Sequence, residues 1–131
     1  MPGWDLTSRL RANRFAAPPG DGLTKRTHWD ITRRMSTPLT VAEIQAALVG
    51  LPGWALENDA LVRTYKFGSF REALSFMVRA GFEAEAMDHH PEWTNVYNRV
   101  VVRINTHDAG GTVTAKDVEL AKRFQKISWV G

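Results

Sequence analysis

The chain has 131 residues, of which 44% are apolar, 24% are charged and none is cysteine. Those totals suit one domain with a real core; they exclude a disulfide framework, a thiolate metal site and a cysteine nucleophile, and no apolar run nears the roughly 20 residues of a membrane span. The formal charge of +3 is uneven: residues 1–34 hold seven basic and three acidic residues, leaving ten basic and eleven acidic for the rest; the basic residues of the N-terminal stretch are scattered rather than in a run, so no nucleic-acid or membrane partner is expected.

Residues 1–38 read as a flexible basic extension, and 39–131 as the folded domain. Pro18-Pro19-Gly20-Asp21-Gly22 breaks any apolar period there. Arg9, Arg11 and Arg14 allow an organelle-targeting alternative, but Asp5, Asp21 and Asp30 are unlike such peptides. A disordered extension, or a start upstream of Met35, is the preferred reading of the stretch. A cytoplasmic location is expected. His28 belongs to this extension and to no motif.

Thr40 and Glu43 have capping-box spacing and predict a helix that carries Ile44, Ala47 and Leu48 and stops at Gly50 and Pro52. Trp54 to Leu56 predicts a short strand, Asn58-Asp59 a turn, and Leu61 to Phe67 its hairpin partner. Ser69 and Glu72 open a second, longer helix. Phe70, Ala73, Leu74, Met77, Ala80, Ala84 and Met87 form its apolar stripe, with Phe76 and Phe82 to the side, where they could meet a second copy. Gly81 within it costs about 1 kcal/mol against alanine unless packing is close there.

Pro91 turns the chain into a second hairpin through Asn95 to Tyr97, and Tyr97 reads as core. In the strand Arg99 to Thr106, Val100, Val102 and Ile104 share one face, while Val101, Arg103, Asn105 and His107 share the other. His107 is thus expected at a strand end on the polar face. Gly110-Gly111 makes a loop, and Thr114 with Asp117 caps a third helix carrying Val118, Ala121 and Phe124. The order predicts an α+β, two-layer domain: a four-stranded antiparallel sheet with three helices packed on one face.

Glu85, His89 and His90 gather at the end of the long helix. Histidine titrates near neutrality, so such a cluster suits acid–base work. Glu85 lies one turn before His89 and could hold its ring, and Asp117 could do the same for a histidine, though its capping role alone explains it. A metal site is the rival, since Glu85-x3-His89 is a spacing metals use; adjacent histidines are awkward for one tetrahedral centre, and no metal or cofactor is expected.

The spaced set Glu85-x3-His89-His90-Pro91-x5-Tyr97-x9-His107-x9-Asp117 resembles the pterin-4a-carbinolamine dehydratases. So do Gly53-Trp54, Tyr65 to Phe70, Phe76-Met77 and Asn95 to Asn98, over about residues 39–130. The long N-terminal extension departs from the family. The resemblance implies dehydration of 4a-hydroxytetrahydropterin to quinonoid dihydropterin in pterin recycling. It implies His89, His90 and His107 as catalytic, Glu85 and Asp117 as supporting, and Pro91, Thr106 and Asp108 as substrate-binding. It leaves open which histidine is the acid. It also implies a homo-oligomer, a dimer or tetramer, and a functional link to an aromatic amino acid hydroxylase. Some members of the family act instead as dimerisation cofactors of transcription regulators, so a non-catalytic binding module is the alternative.

Overall fold

Each helix begins where a hydroxyl can accept one of its first free amides. The structure, a computed structural model, describes residues 33–129. The readings of residues 1–32 and 130–131 lie outside the described residues. Thr40 accepts from the Glu43 amide at 3.2 Å and starts α1, Val41–Leu48. Ser69 accepts from the Glu72 amide at 3.2 Å and starts α2, Phe70–Ala86. Only the third cap closes as a full box: Thr114 starts α3, Ala115–Ser128, and the Thr114 amide donates back to Asp117 at 2.8 Å. Glu72 instead reaches one residue further back, to the amide of Gly68 at 2.7 Å.

The strands are β1 (Ala55–Glu57), β2 (Ala60–Lys66), β3 (Glu92–Val96) and β4 (Arg99–Ile104). They pair antiparallel in the order β1-β2-β4-β3. Alternation puts Leu61, Tyr65, Val100, Val102 and Ile104 on the inner face, fully buried. Tyr65, Phe67, Phe76 and Phe124 fill the space under the helices, with the Tyr65 and Phe76 ring centres 4.6 Å apart. The core is continuous from Ile44 on α1 to Phe124 on α3, and this is the two-layer α+β arrangement. The chain joins it by Pro38, whose backbone bridges Thr114.

Several expectations change. Phe76 is the centre of the core rather than a side residue, and Phe70 and Leu74 are exposed. The buried row on α2 is Ala73, Phe76, Ala80 and Ala84; Phe70, Leu74, Val78 and Phe82 form a second row facing out. Both rows are apolar, so periodicity alone does not say which meets the sheet. Tyr97 is not core: it sits exposed at the β3–β4 turn with φ of 52°. Gly81 has the Trp93 ring 3.9 Å from where a Cβ would stand, ordinary contact rather than close packing.

Inward-facing Arg63 is buried. Its guanidinium donates to the Pro52 carbonyl at 2.8 Å and lies 4.2 Å from the Tyr65 ring centre. Burial pushes the Tyr65 hydroxyl up to about 12, with the Arg63 charge and the Trp54 indole pulling the other way. Gly53 has φ of 84°, and a Cβ there would stand 3.0 Å from Arg63 Nε, so backbone and neighbour both call for glycine.

Candidate active site

The end of α2 sets the site. The helix stops without glycine: Asp88 takes a left-handed φ of 49°. The Asp88 amide donates to Glu85 O and the His89 amide to Ala84 O, both at 3.0 Å. That is a Schellman closure, and it sends the chain sharply off the helix axis. His89 comes out of it pointing inward and His90 pointing outward, as neighbours in extended chain must.

His89 is buried, with its side chain 9% exposed. Its Nε2 lies 2.6 Å from Asp117 Oδ1. Asp117 is fully buried at the third position of α3. Its other oxygen, Oδ2, accepts from the Thr106 hydroxyl and the Thr114 amide, both at 2.8 Å. The Thr106 and Thr114 hydroxyls are 2.7 Å apart. A buried carboxylate needs such donors, because desolvation without them is costly.

His90 is open to solvent. Its Nε2 lies 2.9 Å from Glu85 Oε2, with both side chains more than half exposed, so this contact guides the ring weakly. Glu85 therefore sits on His90, not on His89 as its helical spacing suggests. The left-handed turn at Asp88 takes His89 off the helix face that Glu85 shares, and Asp117, 28 residues away, holds it instead.

His107 is not on β4. The strand ends at Ile104, and His107 opens a 3₁₀ turn, His107–Ala109. It is exposed, and its ring makes no hydrogen bond or ion pair among the described residues; its carbonyl accepts from the Gly110 amide at 3.0 Å. The Thr106 amide donates to Thr112 O at 2.8 Å, and Thr106 O accepts from the amides of Ala109 at 3.2 Å and Gly111 at 3.0 Å. The turn bearing His107 is thus tied to the residue that also reaches Asp117. Thr106 is nearly fully buried and its hydroxyl is committed to Asp117, so its side chain is not an open substrate contact. Pro91 is half-buried beside the histidine doublet in sequence, and Asp108 is exposed on the 3₁₀ turn.

The sequence offers Thr114 as a cap and Thr106 as a substrate contact, but not the bond between their hydroxyls nor that of Thr106 to Asp117. A signal existed for the second: Thr106 shares parity with Val100, Val102 and Ile104, the inward set. Among the described residues no three His, Asp or Glu side chains converge as metal ligands. No helix of the described residues is long and apolar enough to cross a membrane. Two concavities lie elsewhere. One of about 490 Å³ is lined by Phe67, Arg71, Ser75, Arg79 and Trp129; another of about 360 Å³ involves Met35, Leu39, Glu43 and Val118. Neither contains a histidine, and the chemistry favours the histidine cluster over either.

Chemically the cluster offers one enclosed imidazole with a fixed carboxylate, one solvated imidazole with a loose carboxylate, and a third imidazole on a pinned turn. That set can take a proton at one point and give one at another.

Known proteins resemble this chain over most of its length. Residues 37–127 match the family model for pterin 4 alpha carbinolamine dehydratase. A protein of Opitutus terrae is 73% identical over 97 residues, covering 74% of this chain and 100% of its own. One of Solibacter usitatus is 49% identical over 94 residues, covering 72% and 98%. Both bear the name "putative pterin-4-alpha-carbinolamine dehydratase". A crystal structure from Brucella melitensis, described as a "transcriptional coactivator/pterin dehydratase", superposes with a TM-score of 0.67 at 41% identity, covering 70% of this chain and 99% of that one. With the family model matched over residues 37–127 and these relatives matched over nearly their whole length, this chain belongs to the pterin 4 alpha carbinolamine dehydratase family.

Proposed function

We propose that the chain dehydrates 4a-hydroxytetrahydropterin to quinonoid dihydropterin and water by histidine acid–base catalysis, and so recycles the pterin of an aromatic amino acid hydroxylase. The observation that carries this reading is the buried His89–Asp117 contact of 2.6 Å inside the family's spaced motif. The 4a-hydroxyl needs a proton to leave as water, and a ring nitrogen must lose one. The carboxylate of Asp117 offsets the positive charge that the His89 ring gains on accepting a proton, so His89 serves as the base. His90, solvated and guided by Glu85, supplies the proton to the leaving hydroxyl and is recharged from water. His107, with Pro91 and Asp108, binds the pterin. The reaction calls on no metal or redox cofactor in this scheme.

The test is the stopped-flow rate of 4a-hydroxytetrahydropterin loss, with and without the protein. Acceleration that falls by tenfold or more in His89→Ala supports the reading, on the scale of a lost general base. A rate equal to that in buffer overturns it.

The outward row Phe70, Leu74, Val78 and Phe82 supports self-association through α2, since a 17-residue helix with two apolar faces leaves one of them wet. It also favours a second reading, a docking module of the kind the Brucella melitensis description pairs with dehydration. Phe82→Glu lowers the mass in sedimentation if α2 is the self-contact; an unchanged mass removes that contact. Partner capture that survives replacement of His89 and His90 by alanine, with no catalysis in the intact chain, favours the docking module.

A further inference from the structure

We propose that Thr106 is a positioning residue that fixes the proton arrangement of His89 through Asp117. This rests on the dehydratase reading above, but its spectroscopic test does not.

The argument is a count of protons. The Thr106 hydroxyl lies 2.8 Å from Asp117 Oδ2 and 2.7 Å from Thr114 Oγ1. A hydroxyl has one proton to give, and a carboxylate oxygen only accepts. The Thr106 proton therefore goes to Asp117. The contact between the two threonines then takes its proton from Thr114, whose own path to Asp117 Oδ2 is 3.5 Å and poor. Thr114 Oγ1 meanwhile accepts from the Lys116 amide at 3.3 Å, so both ends of that hydroxyl are used. The result is a chain of one polarity, Thr114 to Thr106 to Asp117.

That chain fixes the carboxylate. Oδ2 holds two donors, the Thr106 hydroxyl and the Thr114 amide, and leaves Oδ1 facing His89 Nε2. Rotating the carboxylate would break both bonds inside a dry site, where unpaired polar atoms are costly. Nε2 thus meets an acceptor and carries the ring proton, and Nδ1 keeps its lone pair. The neutral ring that serves as a base is the one with Nδ1 free, and Thr106 is what holds the carboxylate to that choice. The same residue closes the turn that bears His107 through its backbone.

The experiment compares the intact chain with Thr106→Val and Thr106→Ser. Long-range ¹H–¹⁵N correlation reads which nitrogen of His89 is protonated, and single-turnover kinetics on 4a-hydroxytetrahydropterin read the chemistry. The intact chain shows Nε2–H. Thr106→Val gives a mixture with Nδ1–H and lowers kcat by about tenfold, less than the loss of the base itself, with KM changed by no more than about threefold. Thr106→Ser recovers most of that loss and restores the single form, which a purely steric role would not require. An Nδ1–H ring in the intact chain overturns the proposal whether or not Thr106→Val folds. So does a Thr106→Val protein with unaltered spectrum and kcat. An intact chain that does not dehydrate the pterin sinks the functional reading, and the spectra then decide the positioning alone.

Discussion

Replacing Asp117 by asparagine tests the site while leaving its shape. The carboxylate accepts from three groups in the dry interior: His89 at 2.6 Å, and the Thr106 hydroxyl and Thr114 amide at 2.8 Å each. An amide has one accepting atom. Two donors converge where Oδ2 stands, so the new carbonyl takes that place and keeps the cap of α3. Its NH₂ then faces His89 Nε2 and needs an acceptor there. The ring proton moves to Nδ1, which becomes a donor instead of an acceptor. Losing a general base costs about 10²–10⁴-fold, or about 3–5 kcal/mol of barrier at 1.36 kcal/mol per tenfold. Stability falls less, by about 1–2 kcal/mol, because the hydrogen bonds persist without charge assistance. For a domain of this size that is roughly 5–10 °C in melting temperature. Stopped-flow turnover of 4a-hydroxytetrahydropterin and a thermal melt read the two quantities separately. Turnover within threefold of the intact chain, in a folded variant, would refute the assignment of His89 as a base oriented by Asp117.

Other substitutions separate structure from chemistry. His90→Ala lowers turnover by about tenfold or more with little change in melting, because its ring and Glu85 are exposed; His89→Ala also lowers stability, by about 1–3 kcal/mol, because Asp117 loses a buried donor. An unaltered melt for His89→Ala would contradict the buried contact. The raised Tyr65 value gives a pH signature: the folded state holds its proton more tightly, so stability is level below about pH 10 and is lost as pH rises toward about 12. Denaturant unfolding across that range should show the decline, at most about 1.4 kcal/mol per pH unit, and Tyr65→Phe should flatten it. Gly81→Ala raises stability by up to about 1 kcal/mol, since its methyl meets only ordinary contact with Trp93. Gly53→Ala lowers it by about 1–2 kcal/mol, because the left-handed backbone and the pinned Arg63 both resist a side chain. Melting temperatures of the two variants moving the same way would contradict this.

Local signals made most of the fold legible. The hydroxyl caps at Thr40, Ser69 and Thr114 start helices because the donors they satisfy are within three residues. The alternation of Val100, Val102 and Ile104 identifies a strand and its inner face for the same reason. What required long-range pairing was not legible. On α2, the rows through Phe76 and through Phe82 are equally apolar, and only the position of the sheet distinguishes them. Asp117 has a complete local explanation as a cap, which hides its contact with a histidine 28 residues earlier. The pairing of Glu85 with His90 depends on a left-handed Asp88, and aspartate gives no such signal as strongly as glycine does. The strand ending at Ile104 rather than Thr106 follows from the bridge of Thr106 to Thr112, a loop closure that alternation does not register.

The left-handed bend at Asp88 has a further effect. Consecutive Cα atoms stand only about 3.8 Å apart, yet the bend sets one imidazole of the doublet almost out of reach of water and its neighbour fully within it. A steep hydration gradient is thereby built across a single peptide link. The sheltered ring keeps a defined orientation on Asp117, while the wetted one is open to proton exchange with bulk solvent.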